Sequence, residues 1–232
     1  MEYRAMRRFG VLKDVDGHRL QPQQGVVAAI CGDGDQSEDV FDFLSGICRR
    51  HGNGPRVHLV ALNGGPLLAP EDSPLSVGLP DGAVLVRHII KGLKLKNIDV
   101  VIALGHAPCG AAHAHKMDPE QVIGGIVAAK RRIRAAAEEE LGEDAGKRFA
   151  IAPCIQISWG VQHFRRFRYQ EAGYAYRSIL GRIMLWLRIN CSIWRHGTKR
   201  SYFVDPQRWE AWLASGERMQ LLSALPYEQG EQ

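Results

Sequence analysis

Residues 25–35 read GVVAAICGDGD: an unbroken apolar run that ends on Cys31 and passes into two glycines, each followed by an aspartate. Apolar residues without polar alternation suit a strand buried on both faces, and such strands belong to parallel sheets covered by helices. Gly32 and Gly34 supply a tight exit. Beyond them Val40, Phe41, Leu44, Ile47 and Cys48 recur at helical spacing, and Asp35 with Glu38 forms a helix N-cap pair. The same alternation then repeats. RVHLVAL (residues 56–62) is a second strand closed by the turn NGGP, and a helix follows through Val84, Ile89, Ile90 and Leu93. IDVVIAL (98–104) is a third strand leading into GHAPCG. Asp118-Pro119 with Gln121 opens a helix running towards Leu141, and FAIAPCIQI (149–157) is the fourth strand. Apolar runs alternating with amphipathic helices predict an α/β fold with a central parallel sheet flanked by helices.

Composition narrows the class. The 232 residues are 45% hydrophobic and 24% charged, a globular balance that excludes a disordered, collagenous or coiled-coil chain. No uncharged apolar run is long enough to span a membrane, and MEYRAMRRFG at the start lacks the apolar stretch of a secretory signal; a cytoplasmic location is expected. The five cysteines, Cys31, Cys48, Cys109, Cys154 and Cys191, are odd in number and widely spread. They read as reduced thiols, some of them metal ligands, rather than as a disulfide scaffold.

Charge divides the chain. The net charge is +5, with 19 basic and 19 acidic side chains in residues 1–150 but 11 basic and 6 acidic in residues 151–232, where all five tryptophans also lie. Three parts are expected: an N-terminal arm (1–24) with a hairpin around Asp16-Gly17, a metal-binding α/β domain (25–158), and a basic, aromatic, mostly helical C-terminal extension (159–232). Asp205-Pro206 marks the start of a last helix carrying Trp209, Trp212 and Leu213.

Two short motifs carry the chemistry. Cys31-Gly-Asp33 follows the first strand, and His106-Ala-Pro-Cys109 follows the third. Zinc takes thiolate, imidazole and carboxylate ligands in a tetrahedral arrangement, and the two thiolates favour it over harder cations. In an open parallel sheet, ligands bind beyond the carboxyl ends of the strands where strand order reverses. Neighbouring first and third strands would bring both motifs into that crevice.

The segments AICGDGD, ALNGG and ALGHAPCG resemble the motifs of the β-class carbonic anhydrases, over roughly residues 25–157. That family carries C-x-D-x-R after its first strand, an N-A-G-N-like turn after its second and G-H-x-x-C-G after its third. The resemblance implies a β-carbonic-anhydrase-like sheet of order 2-1-3-4, zinc on Cys31, His106 and Cys109, and Asp33 either as the catalytic carboxylate beside the metal or as a fourth ligand. It implies reversible hydration of carbon dioxide to bicarbonate, or reaction of a small analogue such as carbonyl sulfide, in a homodimer or higher homo-oligomer. Zinc would supply hydroxide by lowering the pKa of bound water towards ~7.

The chain departs from the family pattern at two places. Asp35 stands where the family has arginine. Two thiolates already neutralise a divalent ion, so Asp33 makes the site net negative and Asp35 adds to it, which disfavours ionisation of water. Without its arginine partner, Asp33 is free to ligate zinc and close a four-coordinate structural site, unless Arg49, Arg50 or Arg87 substitutes. Asn63-Gly64-Gly65-Pro66 lacks the second asparagine of the family turn and reads as a glycine turn leaving a strand. His113 and His115 are surface histidines, His113 a proton shuttle only if a helix starts near Gly110.

A second functional class therefore stands beside the enzyme: a catalytically silent zinc protein whose basic region engages a partner. Residues 159–200 hold nine Lys or Arg and one acid, Glu171, interleaved with Phe164, Phe167, Tyr169, Tyr174, Tyr176, Trp186 and Trp194. The favoured reading is a packed helix with a solvated arginine face and aromatics at a subunit interface. Single-stranded nucleic acid and a membrane surface, through Ile179, Ile183, Leu185 and Leu187, are rivals without a recognised motif.

Overall fold

The structure, a computed structural model, describes residues 2–15, 24–49, 56–76, 78–158 and 199–216. The apolar run singled out above is strand β2 (Val26–Cys31), and Val26 to Ile30 are all buried. It lies between β3 (Val57–Leu62) and β4 (Val100–Ala107), parallel to both, with Val26 opposite Val57 on one side and Val100 on the other. Strand β5 (Ala150–Ser158) runs parallel to β4, Val100 facing Ala150 and Ala107 facing Ile157.

The sheet does not stop at these four parallel strands. Strand β6 (Lys199–Val204) pairs antiparallel with β5, and β1 (Leu12–Asp14) pairs antiparallel with β6. The order is β1-β6-β5-β4-β2-β3, a six-stranded mixed sheet. The four parallel strands keep the expected relative order, 2-1-3-4; what differs is the sheet as a whole, which residues outside 25–158 extend with two antiparallel strands into a mixed six-stranded sheet. The reason for the miss is local. In β6 Tyr202 and Val204 are fully buried and alternate with less buried neighbours, and the basic residues ahead of them disguise a short alternating strand as a charged run. Residues 199–204 are therefore strand, whereas the extension was expected to be mostly helical. The hairpin expected at Asp16-Gly17, Arg50, and the aromatic stretch 159–198 with Cys191 lie outside the described residues.

Helices cover the sheet on both faces. Helix α2 (Gly34–Arg49) places Val40, Leu44, Ile47 and Cys48 against Val26, Ala28, Ile30, Ile102 and Cys154; Phe41, expected on that apolar face, is exposed. Helix α2 starts at Gly34, so Asp33 and not Asp35 stands immediately before it. The other face carries α3 (Asp81–Lys96) and α5 (Pro119–Leu141), through Leu85, Ile89, Ile90, Ile123, Ile126 and Ile133. The capping box read from Asp118 and Gln121 is present: Asp118 Oδ1 accepts from the Gln121 amide at 2.7 Å, and Gln121 Oε1 accepts from the Asp118 amide at 2.9 Å. Between β4 and α5 lies the short helix α4 (Gly110–Ala114), and α6 (Ala145–Arg148) precedes β5.

The chain ends close this second layer. Helix α1 (Glu2–Phe9), which the polar reading of residues 1–24 missed, buries Ala5 and Met6. Helix α7 (Pro206–Ala214) follows Asp205 as expected and buries Trp209 and Trp212. Phe9 meets Trp212 edge-on at 5.4 Å, and the Trp212 indole N–H donates to Glu120 Oε1 at 3.0 Å. Leu213, read as part of the same apolar face, is exposed. Among the described residues no helix is long and apolar enough to cross a membrane.

Candidate metal centre

Strands β2 and β4 are neighbours, so their carboxyl ends deliver the two motifs to one place. The Sγ atoms of Cys31 and Cys109 and a ring nitrogen of His106 all lie within 4.8 Å of one another. Cys31 ends β2 and is half-buried, His106 is near the end of β4, and Cys109 immediately precedes α4; both of the latter are buried. Rigid strand ends therefore hold two of the three groups.

The donor set has the character of a metal site. His106 is only 4% exposed, yet neither Nδ1 nor Nε2 has a hydrogen-bond partner. A buried imidazole with both nitrogens unsatisfied is costly, and metal ligation by one of them removes part of that cost. Two sulfurs and one imidazole fit zinc, which accepts such sets and leaves a fourth position for solvent or a carboxylate.

The electrostatics of the thiol pair point the same way. Cys31 is drawn down to about 4: the hydrogen bond from the Cys109 thiol does most, burial opposes it, and His106 and the Gly64 amide add to the stabilisation. Cys109 moves well above the ordinary thiol range because it keeps the shared proton beside the Cys31 thiolate and is buried. The pair thus holds one negative charge and one proton. Cys154, fully buried, is pushed up to about 12 by burial alone and is an inert core thiol.

Asp33 lies beside the trio. Its Oδ2 is 3.9 Å from His106 Nε2 and its side chain is 25% exposed. It stands at the mouth of the site, next to the three-atom cluster rather than within it. Of the alternative arginines, Arg87 is exposed on α3. Helix α4 does start at Gly110, but His113 and His115 are both exposed.

The turn after β3 belongs to the site, which sequence reasoning missed. The Gly64 amide donates to Cys31 Sγ at 3.2 Å. Gly64 has φ 94° and Gly65 φ 54°, both left-handed, and a Cβ on Gly65 would lie 2.5 Å from the Cys31 backbone nitrogen. The signal available was the Gly-Gly pair itself: one glycine aims an amide at the sulfur, and the next lets the turn pass close to the strand end. Compared with known proteins, the chain matches no family model, and no curated protein matches it; the resemblance rests on the three motifs themselves.

Proposed function

We propose that this protein is a zinc-dependent, carbonic-anhydrase-like lyase that hydrates carbon dioxide reversibly, or acts on a small analogue such as carbonyl sulfide. The observation that carries the reading is the buried Cys31–His106–Cys109 trio, in which an imidazole with no hydrogen-bond partner sits against two thiols. Zinc held by these residues supplies a Lewis acid that makes water nucleophilic near neutral pH.

The chain's own groups divide the remaining work. Cys31 binds as a thiolate already formed and oriented by the Gly64 amide. Cys109 gives up its proton on binding, and His106 contributes one ring nitrogen. Asp33 Oδ2, on the Nε2 side of His106, accepts a hydrogen bond from the reacting water and so orients it. Leu67, Ala107 and Ala112 belong to the apolar cluster that includes Cys109 and borders Cys31; they keep bulk water away from the sulfurs and suit a small, uncharged substrate.

The test is stopped-flow carbon dioxide hydration by the zinc-loaded protein, with His106→Ala and Cys109→Ser as controls. Hydration that disappears together with bound zinc in both variants is expected. Full zinc occupancy without hydration of carbon dioxide or carbonyl sulfide overturns the enzymatic reading. It would favour the second one, a structural zinc closed by Asp33, whose carboxylate is near enough to the trio to make that reading specific.

A further inference from the structure

His106 has a neighbour that no part of the reaction uses. In the β4–β5 ladder it stands directly opposite Gln156. Register partners on adjacent strands project to the same face, with backbones about 4.8 Å apart, so the two side chains lie side by side. Gln156 is 4% exposed, and its Oε1 is buried with no hydrogen-bond partner. An acceptor without a donor thus lies beside a ring with two nitrogens that lack partners. Two adjacent buried polar groups left open in this way are rare, and each is costly. Leu104 and Cys154, one step down each strand on the same face, are apolar and buried, so nothing in the packing there calls for an amide.

The ring's two nitrogens face different surroundings. Nε2 lies 3.9 Å from Asp33 Oδ2, at the mouth of the site. Nδ1 is the other buried ring nitrogen without a hydrogen-bond partner. A metal-ligating histidine nearly always donates its other N–H to an acceptor that sets tautomer and ring orientation. We infer that Gln156 is the positioning residue of the metal centre: its Oε1 accepts the His106 Nδ1–H, presenting Nε2 to the ion. This deepens the zinc reading and rests on it. An amide acceptor adds no charge to a site that already carries two thiolates, whereas a carboxylate in the same place would.

The experiment compares wild type, Gln156→Leu and Gln156→Glu, each loaded with zinc or cobalt(II). Gln156→Leu should bind zinc about 10- to 100-fold more weakly in chelator competition, and its cobalt spectrum should change in the ligand-field region. Gln156→Glu, which keeps the acceptor, should restore affinity. In ¹⁵N-histidine NMR of the zinc-loaded wild type, His106 should carry a slowly exchanging proton on Nδ1, and that protection should be lost in Gln156→Leu. A metal on Nδ1, or a folded Gln156→Leu with unchanged zinc affinity and a protected Nδ1 proton, overturns the inference. If Gln156→Leu does not fold, Gln156→Glu decides: affinity at or above wild type supports it, and a loss of tenfold or more overturns it. A wild type that takes up neither metal overturns the zinc reading itself and the inference with it; a wild type that loads normally confines any failure to Gln156.

Discussion

Gly65 shows how narrowly single positions constrain the metal centre. A methyl group there would meet the Cys31 amide nitrogen at 2.5 Å and the Ile30 carbonyl carbon at 2.6 Å, both backbone atoms unable to swing aside, at a φ of 54°. Gly65→Ala should therefore displace the end of β2, lowering stability by more than ~1 kcal/mol in denaturant unfolding and weakening zinc binding with it; unchanged unfolding would refute the close approach. The thiol pair makes a second prediction. The shared proton draws Cys31 down and pushes Cys109 up, so the pair is expected to give up about one proton, not two, on binding zinc. Calorimetry in buffers of different ionisation enthalpy counts it. Asp35 makes a third, from the sequence alone: it stands where the family that the motifs resemble carries arginine, and a like charge near a site disfavours ionisation there. Asp35→Arg should raise carbon dioxide hydration near pH 7, and a fully zinc-loaded variant with no gain would show that charge at this position does not limit the reaction. Cys31, His106 and Cys109 were legible because they are chemically distinctive and follow strand ends. Gly64 and Gln156 were not: one acts through a backbone amide, and the other matters only through its register with His106.

At the scale of elements, segments marked by an apolar run or a capping signal read true, and those with neither did not. Helix α5 announced itself by Asp118, Pro119 and Gln121, and α7 by Asp205-Pro206. Asp205 caps α7 by accepting from the amides of Gln207 and Arg208 at 3.0 and 3.1 Å, while Lys13 of β1 reaches Oδ2 at 2.5 Å. Removing the cap in Asp205→Ala should cost ~1 kcal/mol. Burial raises the Asp205 pKa, but Lys13 and the two amides outweigh it, so the carboxyl lies below its usual range when folded. Its stabilisation is thus complete above the unfolded carboxylate pKa and is lost as pH falls through the lower folded value. The cost of Asp205→Ala should shrink accordingly in acid, and a pH-independent cost would exclude the charged cap. Strand β1 and helix α1 escaped notice because three and eight residues carry too little periodicity to separate from a polar arm; what orders them is Val204 opposite Leu12 and the burial of Met6.

Over the whole molecule, the candidate metal centre joins segments distant in sequence: β2, the turn after β3 and the end of β4, with Gln156 of β5 in register beside His106. A ligand that binds only the folded arrangement adds to its stability by mass action, about 2.7 kcal/mol at a hundredfold excess over Kd. Zinc should therefore raise the melting temperature, a chelator should reverse the rise, and His106→Ala should abolish it; a melting temperature indifferent to zinc would count against a site formed on folding. The sequence by itself determined the α/β alternation, the four parallel strands and the identity of the three metal-ligand candidates, because hydrophobic period and ligand chemistry are local properties of a chain. Tertiary structure alone decided that both chain ends enter the sheet, that Gly64 faces Cys31 and that Gln156 stands beside His106. Those facts depend on strand register and on which segments meet in space, and no local pattern encodes either.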